Sequence, residues 1–390
     1  MNAIKIKSGL ILIYATTIFS GLVVVPILPN IAEITSLEFS QFFFVLPSLV
    51  AIPFLFIAKI LNLFMCAKRI VLTGLVLYVF SGLALMLLDY WWWLLFFRGL
   101  CGVAAAFIVP YTSILITDIY KDKEKDNLLA YGSVMTYGFA VIIFYFISYL
   151  IVLHWKLTFL VYFVALAPAI LIHKYVPWQQ TKKVQLNKAS FFKTINFNYK
   201  IWLSFLAMFF LTFWCYTFYS NITILSKQQG FSSGYELSIA QAFVMMAGIF
   251  SNLGIRFIKK LNFLYVQIFI ISFIIIAFLL LSNLSINKQQ LYIASLLFGL
   301  GFSIIGSSSY IYASNYSTTE NKDNALFILT LLSFSGIVLG PLYSNKLLAM
   351  VGIINISYIF LSKAFILFLL LISVLFFYTI GKKYKQKSIP

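Results

Sequence analysis

Residues 98–138 read RGLCGVAAAFIVPYTSILITDIYKDKEKDNLLAYGSVMTYG. An apolar run that carries one arginine leads into a short charged segment, and a second apolar run follows it. This pattern is typical of two helices that cross a membrane and are joined by a short loop. Arg98 is the exception in the first run, because a guanidinium stays charged at any ordinary pH and needs a partner or water inside a bilayer. Gly102 and Ala104 leave one side of this helix nearly bare, so another helix can approach it closely.

The composition places the whole chain in a membrane. Hydrophobic residues make up 62% of the 390 positions and charged residues only 10%, with a mean hydropathy of +0.99, whereas about a quarter of a soluble globule is charged. The net charge of +18 does not indicate a nucleic-acid partner, because the basic residues are dispersed between apolar runs. The three cysteines lack a CxxC spacing and are expected to be buried apolar residues.

Twelve apolar stretches are long enough to cross a bilayer, for which a helix needs about 20 residues. They are expected near residues 8–28, 42–61, 70–88, 92–117, 128–152, 157–176, 201–225, 235–254, 264–283, 291–315, 324–344 and 354–380. Because the runs lack the period-two alternation of membrane strands, the sequence predicts an all-α fold. The first stretch is kept as a helix, since it is too long for the apolar region of a signal peptide and no small-residue cleavage site follows it.

The distribution of lysine and arginine predicts the orientation. Most of the 28 basic residues fall in segments on the same side as the N-terminus, and basic loops tend to stay in the cytoplasm. We therefore expect a multi-pass protein of the inner (plasma) membrane with both termini cytoplasmic. The polar segment 177–200 is expected to be a cytoplasmic linker between an N-terminal six-helix lobe at 1–176 and a C-terminal six-helix lobe at 201–390.

The two halves of the chain repeat weakly. Four features share one offset of 197 residues: Lys59 and Arg256, Gly102 and Gly299, Ala104 and Gly301, and the Lys-Asp-Asn triplets that begin at Lys125 and Lys322. Each pair falls at the same place in the predicted topology. The offset predicts two pseudo-symmetric lobes with a substrate site between them, near the membrane midplane.

The spacing Arg-x-x-x-Gly-x-Ala that begins at Arg98 resembles motif B of the major facilitator superfamily, whose arginine lies in the fourth spanning helix. The segment DIYKDKEKDNLLAYG at 118–132 is similar to the link between helices four and five in the drug/proton antiporter branch of that family. His154-Trp155-Lys156, followed by Phe159, resembles the short outer Gly-Trp-Arg turn of the same branch. The resemblance implies a secondary transporter that rocks two lobes around a central site and exports a small organic molecule.

The segment in which the family carries motif A departs from its pattern. It reads AKILNLFMCAKR at 58–69, with Asn62 in the place of an aspartate. Because Asn62 brings no charge, the latch that this aspartate forms between the lobes in the family is expected to be weaker. The residues expected to pack the helices or to control their movement are Gly102, Gly138, Asn62, Lys68, Arg69, Gly336, Gly340 and Pro341.

The candidate substrate contacts are polar residues of helices one, four, seven and ten, which surround the cavity in this family: Arg98, Tyr14, Thr17, Trp214, Tyr216, Ser308 and Tyr312. Arg98 lies about 10 Å below the outer end of its helix, and we expect it to bind an anionic or strongly hydrogen-bonding group. The alternative is that it bonds carbonyls of a neighbouring helix or extends to the surface. Lys363, in the peripheral helix twelve, is expected to extend to the surface, with a substrate role as the alternative.

The sequence supports no enzyme activity, cofactor or metal, because it lacks nucleophile, metal and phosphate-loop motifs. None of the ten acidic residues lies within a helix core, which weakens export of cationic drugs, since buried carboxylates usually carry the cation or the proton there. Two alternatives therefore stay open. One is transport of a carboxylate-bearing metabolite or siderophore in either direction, and the other is a non-transporting sensor on a degenerate fold. The expected partners are the small organic solute, membrane lipid and protons as a candidate coupling ion, with no nucleic acid and a monomeric state.

Overall fold

The computed structural model describes residues 2–17, 21–178, 199–231, 234–258, 263–317, 322–351, 356–369 and 371–372. Twelve helical spans occur in this part of the chain, numbered here in chain order: α1 in two parts (Asn2–Thr16 and Leu22–Ile34), α2 Leu37–Leu61, α3 Ala67–Ala84, α4 Trp91–Ile119, α5 Asp122–Leu153, α6 Trp155–Tyr175, α7 Tyr199–Gln228, α8 Gly234–Ile258, α9 Phe263–Leu281, α10 Lys288–Tyr316, α11 Lys322–Val351 and α12 Ser357–Leu369. The described residues form no strand. The predicted all-α, twelve-helix fold is confirmed.

The helices are apolar along most of their length. Within the described residues, eight helices are long and apolar enough to cross a membrane, and Leu22–Ile34, Ile268–Leu281 and Ser357–Leu369 are shorter apolar segments. Several helices extend beyond the predicted apolar runs, because a helix continues into its polar flanks. The largest such differences at a helix start are in α1, which begins at Asn2 and not near residue 8, and in α5, which begins at Asp122 and not near residue 128.

The first span differs most from the prediction. It was expected to end near residue 28, but it continues to Ile34, and Leu22–Ile27 within it forms a 3₁₀ helix that contains Pro26. Proline lacks an N–H and obstructs the preceding turn, so it interrupts regular α-helical bonding. Pro29 then starts the next α-helical turn, a position that proline tolerates.

Helices α1–α6 form one lobe and α7–α12 the other, and equivalent glycines pack each lobe. A Cβ on Gly102 of α4 would overlap the carbonyl oxygen of Pro47 on α2 and lie 2.8 Å from the Pro47 Cα. A Cβ on Gly299 of α10 would overlap the carbonyl oxygen of Val244 on α8 and also lie 2.8 Å from the Val244 Cα. The same offset of 197 residues relates Pro47 to Val244. The two lobes therefore repeat one backbone contact at matching positions.

The lobes meet along two seams. At one, α5 packs on α8, and at the other, α2 packs on α11 and also contacts α7 through the rings of Phe44 and Tyr216. Near the end of the bundle that carries Lys59 and Lys68, called here the lysine-rich end, the rings of Phe56 and Phe327 lie 5.3 Å apart. At the opposite end, Gly234 of α8 lies against the side chain of Ile151 on α5 and the carbonyl of Pro26. Both ends of the bundle are thus bridged between the lobes.

Candidate functional site

Arg98 lies wholly inside the N-terminal lobe. Its side chain is 0% exposed, its Nε donates to the Phe43 carbonyl of α2 at 3.1 Å, and its Nη1 donates to the Tyr162 hydroxyl of α6 at 3.1 Å. The guanidinium carbon is also 5.2 Å from the centre of the Phe43 ring. Nη2 is buried without a hydrogen-bond partner among the described residues. The guanidinium is held by protein atoms, as in the alternative in which it bonds a neighbouring helix.

Tyr216 of α7 crosses between the lobes. Its ring stacks on Phe44 of α2 with ring centres 5.7 Å apart, and its hydroxyl oxygen is 3.2 Å from the position of a Cβ on Gly21 of α1. On its own helix, Tyr216 packs edge-to-face on Tyr219 at 5.6 Å. Because it touches α1, α2 and α7, Tyr216 joins the two lobes. Trp214 is half-buried and packs on Phe213 of its own helix.

Tyr14 and Thr17 lie on the wall that α1 forms with α4 and α5. The Tyr14 hydroxyl is 3.3 Å from the Ser113 Oγ of α4, and the Tyr14 carbonyl accepts a bond from Thr136 of α5 at 3.1 Å. The Thr17 hydroxyl donates to the Tyr14 carbonyl at 2.7 Å. Both side chains are half-buried. The side chains of Ser308 and Tyr312 lie outside the described part of the chain.

Two polar residues that sequence reasoning missed meet at the α5–α8 seam. A Cβ on Gly248 of α8 would lie 2.5 Å from the Tyr137 ring of α5 and 2.7 Å from the Ser303 Oγ of α10. The Ser303 hydroxyl donates to the Gly299 carbonyl at 2.9 Å, and the hydroxyls of Tyr137 and Ser303 are also hydrogen-bond neighbours. In the sequence, the only indication of this contact is Gly248, whose lack of a side chain lets the Tyr137 ring pack between α5 and α8.

Lys68, the motif A lysine, stays within the N-terminal lobe. Its side chain is fully buried, and its Nζ donates to the carbonyls of His173 at 3.1 Å and Val176 at 2.5 Å. It therefore satisfies carbonyls at the C-terminal end of α6, where a cation is favoured. Arg69 lies 5.8 Å from the Trp178 ring, and Asn62 ends α2.

A different residue bridges the lobes at the lysine-rich end. Lys59 of α2 donates to the Asn324 Oδ1 of α11 at 2.9 Å, and its ammonium lies 4.8 Å from the centre of the Phe327 ring. Both residues belong to the internal repeat: the 197-residue offset relates Lys59 to Arg256, and Asn324 is the last residue of the second Lys-Asp-Asn triplet. The repetition of these residues is visible in the sequence, whereas their contact is visible only in the structure.

The predicted packing residues divide into two groups. Gly336 of α11 lies against Thr212 of α7, and Gly340 lies against the carbonyl of Phe213. Pro341, which follows, is a buried residue inside α11. Gly138 of α5 belongs to the other group, because no described atom lies within 4 Å of the place that its Cβ would take. Within the described part of the chain, Gly138 therefore makes no close helix contact.

Lys363 does not reach the surface, so the expectation that it extends there is wrong. It is 3% exposed, and its Nζ is 3.5 Å from the Ser344 Oγ of α11. Ser344 in turn exchanges hydrogen bonds with Asn221 of α7 at 3.0 and 3.2 Å. The polar pair between α7 and α11 gives the lysine an internal partner, which the sequence of α12 alone does not reveal.

Two cavities lie at the ends of the bundle. One of about 230 Å³, opposite the lysine-rich end, is lined by α1, α2 and α7, with Ser40, Thr223, Lys227 and Gln228 as its polar residues. The other, of about 440 Å³, lies between α1 and α5 beside the ion pair of Lys7 and Glu124. The part of the chain that the structure describes holds no group of three or more potential metal ligands, and its three cysteines are free thiols.

Comparisons with known proteins agree on one fold. The sequence profile of the Major Facilitator Superfamily matches residues 10–341. No curated protein sequence matches the chain. Among solved structures, a point mutant of the nucleoside transporter NupG is similar with a TM-score of 0.65, over 95% of this chain and 99% of that one, at 15% sequence identity. An identity this low shows a shared fold alone.

Proposed function

We propose that this chain, which belongs to the major facilitator superfamily, exports a small organic molecule by alternating access of its two lobes. Family membership makes it a multi-pass membrane transporter of a small solute and not an enzyme. The single observation that supports the kind of solute is the chemistry of the seams. The rings and hydroxyls that meet between the lobes, at Tyr216 with Phe44 and at Tyr137 with Ser303, are uncharged.

Aromatic rings and isolated hydroxyls suit an organic solute of moderate size, because they supply apolar contact and a few oriented hydrogen bonds. Tyr14 and Thr17 on α1 and Tyr216 on α7 belong to this proposed surface, together with Trp214, Ser308 and Tyr312. The described carboxylates support the same choice, since those of Asp89, Glu124 and Glu236 form ion pairs near helix ends and not within the cores. The proposed solute is therefore not bound through these carboxylates, because each already has a lysine partner.

The proposal includes an orientation and a domain division. Both termini and the linker 177–200 are cytoplasmic, with lobes at 1–176 and 201–390, in the inner (plasma) membrane. The clustering of Lys59 and Lys68 at one end of the bundle supports this orientation. Single cysteines placed in the linker should resist a membrane-impermeant thiol reagent added to intact cells and react after lysis. Labelling of the linker in intact cells would contradict the orientation.

Export and proton coupling rest on the similarity to the drug/proton antiporter branch. The test uses inverted membrane vesicles, energised to acidify their interior, with three labelled probes of different charge: ethidium, chloramphenicol and citrate. We expect chloramphenicol, the neutral probe, to accumulate inside the vesicles. Because each exchange carries protons out of the acidic interior, its addition should make the interior less acidic and the external medium more acidic. Vesicles that lack the chain are the control. Accumulation of none of the probes, with binding retained, would favour the non-transporting sensor.

The carboxylate alternative has one specific observation in its favour. Arg98 has two committed donors, but its Nη2 has no partner among the described residues, and a guanidinium can hold a carboxylate through a second donor. Under this alternative, citrate moves in the vesicles, and Arg98→Lys abolishes the movement because a lysine keeps the charge but loses the planar fork. Citrate transport that Arg98→Lys leaves unchanged would exclude recognition by Arg98.

A further inference from the structure

We propose that the carboxamide of Gln241 on α8, assisted by the hydroxyl of Tyr219 on α7, binds an amide-like edge of the transported solute, in which an N–H lies beside a C=O. The inference rests on the proposed transport function and names its substrate class. The solute is an uncharged molecule that carries a carboxamide, a lactam or a heterocycle with such an edge.

Gln241 is a buried side chain whose hydrogen-bonding groups are unused. It is 0% exposed, and neither its Nε2 nor its Oε1 has a partner among the described residues. A side-chain amide offers two donors and an acceptor with two lone pairs. Nearly all buried polar groups in native proteins are paired, so an amide with both ends unpaired requires a specific explanation.

The position of Gln241 places it on the seam between the lobes. Gly234, Gln241 and Gly248 follow one another at intervals of seven residues on α8, which is about two helical turns, so they share one face. Gly234 lies against Ile151 of α5, and Gly248 lies against Tyr137 of α5. Since residue numbers rise on α8 as they fall on α5, the two helices are antiparallel. Gln241 therefore lies midway between two contacts with the opposite lobe.

The pseudo-symmetry of the fold gives a second, independent placement. The 197-residue offset relates Gln241 to Phe44, whose ring crosses the other seam and stacks on Tyr216 at 5.7 Å. Equivalent positions of the two lobes thus both face the opposite lobe. One carries an aromatic ring with a partner, and the other carries an amide without one.

Tyr219 supplies a second unused polar group on the same lobe. It is 0% exposed, and its hydroxyl has no hydrogen-bond partner among the described residues. Its ring packs on Phe298 of α10 at 5.8 Å and on Tyr216 at 5.6 Å, so it lies beside the ring that crosses to Phe44. Gln241 lies about 10 Å from the start of α8 and Tyr219 about 13 Å from the end of α7, at 1.5 Å per residue. The two groups therefore lie at similar depths.

The chemistry of these two groups selects the ligand. A carboxamide pairs with another amide edge through two antiparallel hydrogen bonds, one donated and one accepted, and a phenol can donate or accept a third. An anion would leave the Gln241 carbonyl facing negative charge, and the cation of Arg98 is committed to Phe43 and Tyr162 in the other lobe. Opening of the α5–α8 seam would expose the amide to water, which the solute then replaces.

The test measures binding to the full-length, detergent-solubilised protein with two probe pairs: uridine with N3-methyluridine, and nicotinamide with N,N-dimethylnicotinamide. Methylation removes the N–H of the edge and retains its C=O. We expect the wild type to bind at least one unmethylated probe tenfold or more tightly than its methylated partner. Gln241→Leu should abolish this preference, Tyr219→Phe should reduce it severalfold, and Gln289→Leu, at an exposed position of α10, should leave it unchanged. Equal binding of both members of each pair, or a preference that survives Gln241→Leu, would overturn the inference.

A second measurement excludes a purely structural role for Gln241. Since its amide has no bond to lose among the described residues, Gln241→Leu should unfold at the same or a higher temperature than the wild type without ligand. A lower unfolding temperature would show that the amide is bonded within the protein, and would also overturn the inference. Vesicle transport separates this outcome from the proposed function. If the protein prefers the unmethylated probe but does not transport it, only the proposed transport function is contradicted. If it transports the probes without this preference, only the proposed Gln241 site is contradicted.

Discussion

The glycine contact that repeats in both lobes yields a quantitative prediction. Gly102→Ala and Gly299→Ala each place a methyl group against a backbone carbonyl and 2.8 Å from a backbone Cα of the neighbouring helix. Neither obstacle can rotate away, as the end of a flexible side chain could. The helices must therefore separate, or α4 and α10 must rotate, in each variant.

The size of the effect follows from two opposing terms. Overpacking costs typically about 1–3 kcal/mol, and a clash with backbone belongs at the upper end of that range. Alanine also gains about 1 kcal/mol over glycine in helix propensity. We therefore expect each variant to lose about 2 kcal/mol of unfolding free energy. Gly138→Ala is the matched control, because no described atom lies within 4 Å of its added methyl, and it should gain about 1 kcal/mol.

Thermal unfolding of the purified protein, followed with a thiol-reactive fluorophore, measures these differences. The thiols of Cys101 and Cys215 are free and almost wholly buried, so they react when the lobes unfold. Gly102→Ala and Gly299→Ala should unfold at nearly equal temperatures below the wild type, and Gly138→Ala should unfold above it. An unfolding temperature of Gly102→Ala at or above that of the wild type would refute the close approach of α4 to α2. Widely different losses for the two variants would refute the equivalence of the lobes.

Three further predictions concern lysines. Lys363→Met should keep transport and raise the unfolding temperature, because an apolar side chain of similar length replaces a buried ammonium that has one long hydrogen bond. Lys346→Met, at an exposed position, is the control and should change neither transport nor the unfolding temperature. Loss of transport in Lys363→Met alone would contradict this prediction. Lys68→Met should lose about 3 kcal/mol of unfolding free energy, because it removes two charge-assisted hydrogen bonds to carbonyls at the end of α6. A variant that unfolds at the wild-type temperature would show that Lys68 does not stabilise the end of α6. Lys59→Met should lose at most about 1 kcal/mol of unfolding free energy, as expected for a partly exposed contact. Both Lys59→Met and Asn324→Ala should lengthen the distance between spin labels placed on α2 and α11. Unchanged distances would show that the contact does not hold the lobes together.

Much of the fold could be predicted because its signals are long and one-dimensional. Continuous apolar runs mark the helices, lysines mark one end of the bundle, and a fixed offset marks the duplication. The break in α1 could not be predicted in the same way. Pro26 shows where regular bonding must be interrupted, but whether the chain then turns away or continues to Ile34 depends on the helices packed around it.

The candidate site was harder to predict than the fold, because the sequence does not show in which direction a side chain points from its helix. Sequence gives the depth of Arg98 from the rise of a helix, but its direction depends on the rotation of α4. That rotation is set by the contact of Gly102 with Pro47, which belongs to another helix. The partner of Lys363 was hidden for the same reason, because Ser344 lies on α11. Gln241 was missed since a single amide within an apolar run carries no signal until its neighbours are known.

The comparison of equivalent positions indicates where such a duplicated protein recognises its solute. The glycines at 102 and 299 occupy matching positions in the two halves, and each lets the backbone of a neighbouring helix approach closely. One turn away, the offset relates Arg98 to Ser295, and both are buried. The N-terminal lobe thus fixes a cation between α2 and α6, while the C-terminal lobe holds only a hydroxyl there, close in depth to the Gln241 amide. Positions that packing requires in both halves cannot be altered to suit a ligand, so we expect selectivity to lie where the halves differ.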